Sequence, residues 1–273
     1  MTATFFFERG NSPLLISIPH DGRELAPGLE ERMSDGARTL PDTDWHVRRL
    51  YRFARRLDAS VLAARFSRYV IDLNRPPSDA ALYDGQLSAG LCPTETFAGA
   101  SIYLPGHSCG RSERRERTQT HWRPYHDRLA TELMRIRRRY GHALLWDAHS
   151  IRSEVPALFQ VVLPELSIGT NDGASCDPRW QSAVFQVALQ SEYSVALNGR
   201  FKGGYITRHY GSPDDNVHAI QLELAQRSYM DEQTLRYDED SAARLRVVLR
   251  AMLSAFLSHA SRPEGRPRYR KSS

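Results

Sequence analysis

Seven short apolar runs recur along the chain, at residues 14–18, 60–64, 69–73, 143–146, 158–163, 193–197 and 219–224, each of a length that suits a buried strand. Stretches with helical spacing lie between them. Trp45, Leu50, Phe53, Ala54 and Leu57 fall near one face of a helix over 45–57, and Trp122, Tyr125, Leu129, Leu133 and Ile136 recur every three or four residues. Residues 178–191 and 241–257 suggest two more helices. Strands alternating with helices imply an α/β fold, a three-layer αβα sandwich around a mixed, mainly parallel sheet.

Residues 1–260 read as a single domain, followed by a basic tail, 261–273, expected to be disordered. Residues 76–110, rich in Pro, Gly and Ser, read as a long surface excursion of the kind that borders a site. No apolar run approaches bilayer length, and the Phe-rich start lacks the basic segment of a signal peptide. Cys92, Cys109 and Cys176 are too few and too scattered for a disulfide framework or a cysteine zinc site, so a cytoplasmic location is expected. The formal charge of +5 invites a nucleic-acid reading, but Lys202 and Lys271 are the only lysines among 37 Lys+Arg. Codon bias explains that ratio better than nucleic-acid binding, and the basic stretches carry glutamates at helical spacing. No nucleic acid, membrane or obligate protein partner is expected, and a positive field suits a small anionic substrate.

Open α/β sheets bind ligands beyond the carboxyl ends of their strands, and here those ends are unusually polar. "LLISIPHDG" ends in His20 and Asp21, "YVIDLNRPP" in Asp72, Asn74 and Arg75, and "LLWDAHS" in Asp147 and His149. In a strand, residues two apart share a face, so Asp147 and His149 stand side by side. Two histidines and a carboxylate form a catalytic zinc shell, and His20 with His149 is the natural pair. Asp44, in "LPDTDWHV", is the leading carboxylate, with Asp42 and Asp21 as alternatives; a helix N-cap would explain Asp44 equally well. Glu223, charged inside an apolar strand, suits a general base for water. Arg68 and Arg75 can polarise a carbonyl and grip a carboxylate, and Arg208, after two glycines, can take a second carboxylate.

A rival pattern is "GHSCG" at 106–110, which fits the serine-hydrolase Gly-x-Ser-x-Gly. A nucleophile elbow follows a strand directly, whereas Pro105 and Gly106 intervene before Ser108. A basic nucleic-acid-binding module is the non-enzymatic rival, and it leaves the polar strand ends unexplained.

"SIPHDG", "LPDTDWHV", "RYVIDLNRPP", "LLWDAHSIRS", "NGRFKGGYITRHYG" and "VHAIQLELAQRSYM" together resemble the N-formylglutamate deformylases (amidohydrolases) of histidine degradation. A more distant resemblance extends to zinc carboxypeptidases and aspartoacylases. The distant resemblance implies a zinc-exopeptidase-like fold, and the resemblance to the deformylases implies hydrolysis of a small dianionic N-acyl amino acid, N-formyl-L-glutamate, to formate and glutamate. It also implies zinc on His20, Asp44 and His149, and Glu223 and Arg68 in catalysis. Asn74 and Arg75 would hold one substrate carboxylate and Arg208 the other. Arg23 stands where those carboxypeptidases place a glutamate ligand, which leaves the second metal ligand open among Asp44, Asp42 and Asp21.

Overall fold

A computed structural model describes residues 3–80 and 90–259. Its strands are β1 (Phe5–Glu8), β2 (Leu14–Ile18), β3 (Ser60–Ala64), β4 (Ala143–Ile151), β5 (Leu166–Gly169), β6 (Val195–Leu197) and β7 (Val217–Ala225). They form one sheet in the order β1-β3-β2-β4-β7-β5-β6. Pairs β3/β2, β2/β4, β4/β7 and β5/β6 are parallel, and β1/β3 and β7/β5 antiparallel. The α-helices are α1 (Asp35–Arg38), α2 (Val47–Leu50), α3 (Arg111–Arg117), α4 (Arg123–Tyr140), α5 (Pro178–Leu189), α6 (Tyr205–Tyr210) and α7 (Glu239–His259).

Strand alternation sorts the layers. Ile16, Trp146 and Ile220 are register partners, and with Leu144, Ala148 and Leu222 they face Val184 of α5 and Leu249, Leu253 and Phe256 of α7. Leu15, Leu145 and Ala219 point the other way, against Tyr125, Leu129, Leu133 and Ile136 of α4. Fully burying each large apolar side chain contributes about 1.5–3 kcal/mol relative to exposure. Helix α4 stops where Gly141 takes φ 79°, a left-handed cap that glycine adopts without strain. The expected αβα sandwich is therefore present. Among the described residues no helix is long and apolar enough to cross a membrane.

Several boundaries differ from expectation. β4 runs on to Ile151, so Asp147 and His149 lie within the strand rather than just past it. Residues 69–73 are buried but not a strand. Among the described residues no strand donates to their carbonyls; the Arg117 guanidinium donates to Tyr69 O and, at 2.8 Å, to Val70 O. Residues 158–163 are irregular after a turn at 156–158, anchored by Leu158 N to Val155 O and Leu163 N to Ser153 O, and Val161 and Val162 are exposed. The helix expected over 45–57 is short α2 continued by a 3-10 segment, Tyr51–Leu57. β1 and β5 are strands beyond the seven apolar runs. The described parts of 76–110 contain neither helix nor named strand, but Leu91, Cys92, Ile102 and Tyr103 are buried, so the excursion does not run wholly over the surface. The tail 261–273 lies outside the described residues.

Candidate metal and active site

Three chain segments deliver three buried side chains to the carboxyl edge of β2 and β4. His20 follows β2 by two residues, and His149 is the seventh residue of β4. Their rings lie 4.9 Å apart between centroids. Asp44 arrives on the loop between α1 and α2, where Leu40 and His46 take φ values of 52° and 66°. Its backbone N donates to His20 O at 3.1 Å, and its Oδ2 accepts from Ser150 N at 3.0 Å. Helix α2 begins only at Val47, so Asp44 is not its N-cap.

Asp44 Oδ2 faces Nδ1 of both rings, at 3.1 Å from His149 and 3.8 Å from His20. The other ring nitrogens meet carboxylates. His20 Nε2 lies 2.8 Å from Asp72 Oδ1, and His149 Nε2 lies 3.2 Å from Asp147 Oδ2. Burial opposes a charge on His149, but Asp147 and Asp44 hold its pKa well above the ordinary value. Burial would likewise raise Asp72, but His20, Arg68 and Arg75 hold its carboxyl well below the usual range. His20, Asp44 and His149 place one ligand atom each within 4.8 Å of one another, so the residues fit a divalent ion. Two imidazole nitrogens and one carboxylate are the donor types of a catalytic metal site, and a carboxylate behind each ring fixes its orientation.

Of the alternative acids, Asp42 is engaged elsewhere. Asp42 Oδ2 accepts from Tyr69 OH at 2.7 Å and Phe97 N at 2.9 Å. Asp21 sits beside Arg23 and Arg48, and burial pushes its carboxyl up to about 7. Arg23 stacks over Trp45, 5.3 Å from the ring centre.

Glu223 is the register partner of His149 on β7, and burial pushes its carboxyl up to about 8. Arg68 is buried behind the cluster; its Nη2 donates to Asp72 Oδ2 at 2.7 Å, and its Nη1 lies 3.7 Å from Asp44 Oδ1. Asn74 Nδ2 lies 3.0 Å from His149 Nε2, while its Oδ1 accepts from Ile206 N at 2.7 Å. That approach requires glycine at 204, because a Cβ there would come within 2.2 Å of the Asn74 amide. Arg75 Nη1 donates to Asn74 O at 3.1 Å, and Arg208 Nε to Gly203 O at 2.7 Å. Thr43 and Ser150, chain neighbours of Asp44 and His149, line an adjacent cavity of about 270 Å³ together with Phe97, Arg152 and Gln226. Ser108 is exposed on a loop, and the residues just before it form no named strand.

Two supports had no assigned role in the sequence. Asp72 anchors His20 across 52 residues of chain. Thr207 reaches across from α6 to donate to Asp147 Oδ2 at 3.1 Å, a contact with no local trace at all.

Residues 12–230 match the family model described as N-formylglutamate amidohydrolase. The chain is 49% identical over 271 residues to the N-formylglutamate deformylase of Pseudomonas aeruginosa, covering 98% of this chain and 100% of that one. It is 49% identical to the N-formylglutamate deformylase of Pseudomonas putida, over 94% of this chain and 97% of that one. Among solved structures, the N-formylglutamate amidohydrolase of Ralstonia eutropha JMP134 superposes with a TM-score of 0.77 at 25% identity, covering 95% of this chain and 98% of that one.

Proposed function

Because the chain belongs to the N-formylglutamate amidohydrolase family, we infer that it hydrolyses the amide C–N bond of N-formyl-L-glutamate to formate and glutamate with the help of one divalent metal ion. The observation that carries the metal is the convergence of His20, Asp44 and His149, each buried and each ring backed by a carboxylate.

A zinc ion held by those three residues would supply Lewis-acid polarisation of the carbonyl and lower the pKa of water. Glu223 takes the proton of the attacking water and returns it to the departing amine; a pKa near neutrality suits a group that does both. Arg68 adds fixed positive charge beside the developing oxyanion, and such preorganised charge is commonly the largest single contribution to rate. Asp72 and Asp147 keep the two rings in place. Asn74 and Arg75 hold one substrate carboxylate, and Arg208 the other; the planar guanidinium matches a carboxylate with two parallel bonds. The free thiols Cys92, Cys109 and Cys176 suit a reducing compartment, and a cytoplasmic location is part of the proposal.

Formate release from N-formyl-L-glutamate by the purified protein, with and without a chelator, tests this. Activity is expected to vanish with chelator and return with added divalent metal. Glu223→Gln should lower kcat by on the order of 10²–10⁴-fold with little change in KM. Full turnover in chelator, or wild-type kcat in Glu223→Gln, would remove the metal or the base from the mechanism.

A further inference from the structure

The segment from Leu73 to Arg75 carries the Asn74 and Arg75 side chains, yet it belongs to no strand. Backbone carbonyls in such a segment need other donors. Leu73 O lies 2.9 Å from His126 Nε2, Asn74 O accepts from Tyr205 N at 3.4 Å, and Arg75 O accepts from Trp122 Nε1 at 2.9 Å. Two of these three partners stand one turn apart, Trp122 just before α4 and His126 within it, their rings stacked with centroids 3.7 Å apart.

We propose that Trp122 and His126 are positioning residues for substrate binding, gripping the carbonyls on either side of Asn74 so that Asn74 and Arg75 meet the substrate carboxylate. This inference rests on the assignment of Asn74 and Arg75 made above.

The chemistry of each ring is determined by its partners. A carbonyl can only accept, so Nε2 of His126 carries the proton. Burial pushes the His126 pKa down to about 3, which keeps the ring neutral and leaves Nδ1 to accept from Tyr210 OH at 3.0 Å. Indole Nε1 is a donor only. A π-helical turn, Thr118–Trp122, precedes α4 and ends at Trp122. Its extra residue per turn changes which face the next side chains occupy, and such turns recur at functional sites. Helix α6 closes the arrangement: Tyr205 and Tyr210 pack against His126, and Ile206 N holds Asn74 Oδ1.

If Trp122 were only core packing, a ring without the N–H would serve equally well. Trp122→Phe keeps an aromatic ring and removes the donor. The inference expects KM for N-formyl-L-glutamate to rise roughly 3- to 10-fold in Trp122→Phe, with kcat within about twofold of wild type. His126→Leu should raise KM similarly, and His126→Gln, which restores an N–H donor, should recover most of the loss. That pair decides the matter should Trp122→Phe fail to fold. Arg75→Met, measured alongside, should raise KM on the order of 10–100-fold. Wild-type KM in both Trp122→Phe and His126→Leu, with KM raised in Arg75→Met, overturns the positioning role alone. An unchanged KM in Arg75→Met overturns the carboxylate assignment, and the positioning role falls with it. Equal losses in His126→Leu and His126→Gln reduce the ring to packing.

Discussion

His149 and His126 are both 3% exposed, yet their surroundings drive their pKa values in opposite directions. His149 stands between Asp44 and Asp147, which hold its pKa well above the ordinary value against burial. His126 stands between a carbonyl and a phenol among stacked aromatic rings, and burial carries its pKa down to about 3. Burial alone disfavours the charged ring; nearby carboxylates reverse that. One region is thus a seat for positive charge, whether a proton or a divalent ion. The other is a neutral clamp that holds backbone in place.

The largest effect expected from breaking this contrast comes from the carboxylates behind the rings. Asp72→Asn and Asp147→Asn keep the shape and remove the charge, and each should weaken metal affinity by about 10–100-fold in competition with a chromogenic chelator. Wild-type affinity in both variants would mean that neither carboxylate tunes its ring.

A smaller effect sharpens the other half. Folded His126 stays neutral down to about pH 3, whereas in the unfolded chain it takes up a proton near pH 6.5. Between those values the unfolded chain binds more protons, so this contribution to stability is complete above about pH 6.5 and falls away on acidification. Melting temperatures followed from about pH 7 to about pH 4 should therefore fall more steeply in the wild type than in His126→Gln. Parallel slopes would contradict a neutral buried ring.

The legible parts of the sequence were those whose partners are local. Asp147 and His149 share a face because strand residues alternate, and the core runs of β2, β3, β4 and β7 needed no knowledge of their neighbours. Asp44 was legible only as one of three acids, because its reach depends on a loop turned by Leu40 and His46 in left-handed conformations. The run 69–73 looked like a strand because burial makes the same apolar pattern in either case. Arg117, more than forty residues away, replaces the missing strand partner, and no local pattern shows that. The helical spacing of Trp122 marks it as core, which it is, but its N–H bond to Arg75 O spans 47 residues.

The most direct test counts bound divalent metal per chain in the purified wild type and in Asp44→Ala, Asp42→Asn and Asp21→Asn. About one ion is expected in the wild type, Asp42→Asn and Asp21→Asn, with the ion lost from folded Asp44→Ala. A full complement of metal in Asp44→Ala, or none in a wild-type protein that hydrolyses N-formyl-L-glutamate, would contradict a centre built on His20, Asp44 and His149.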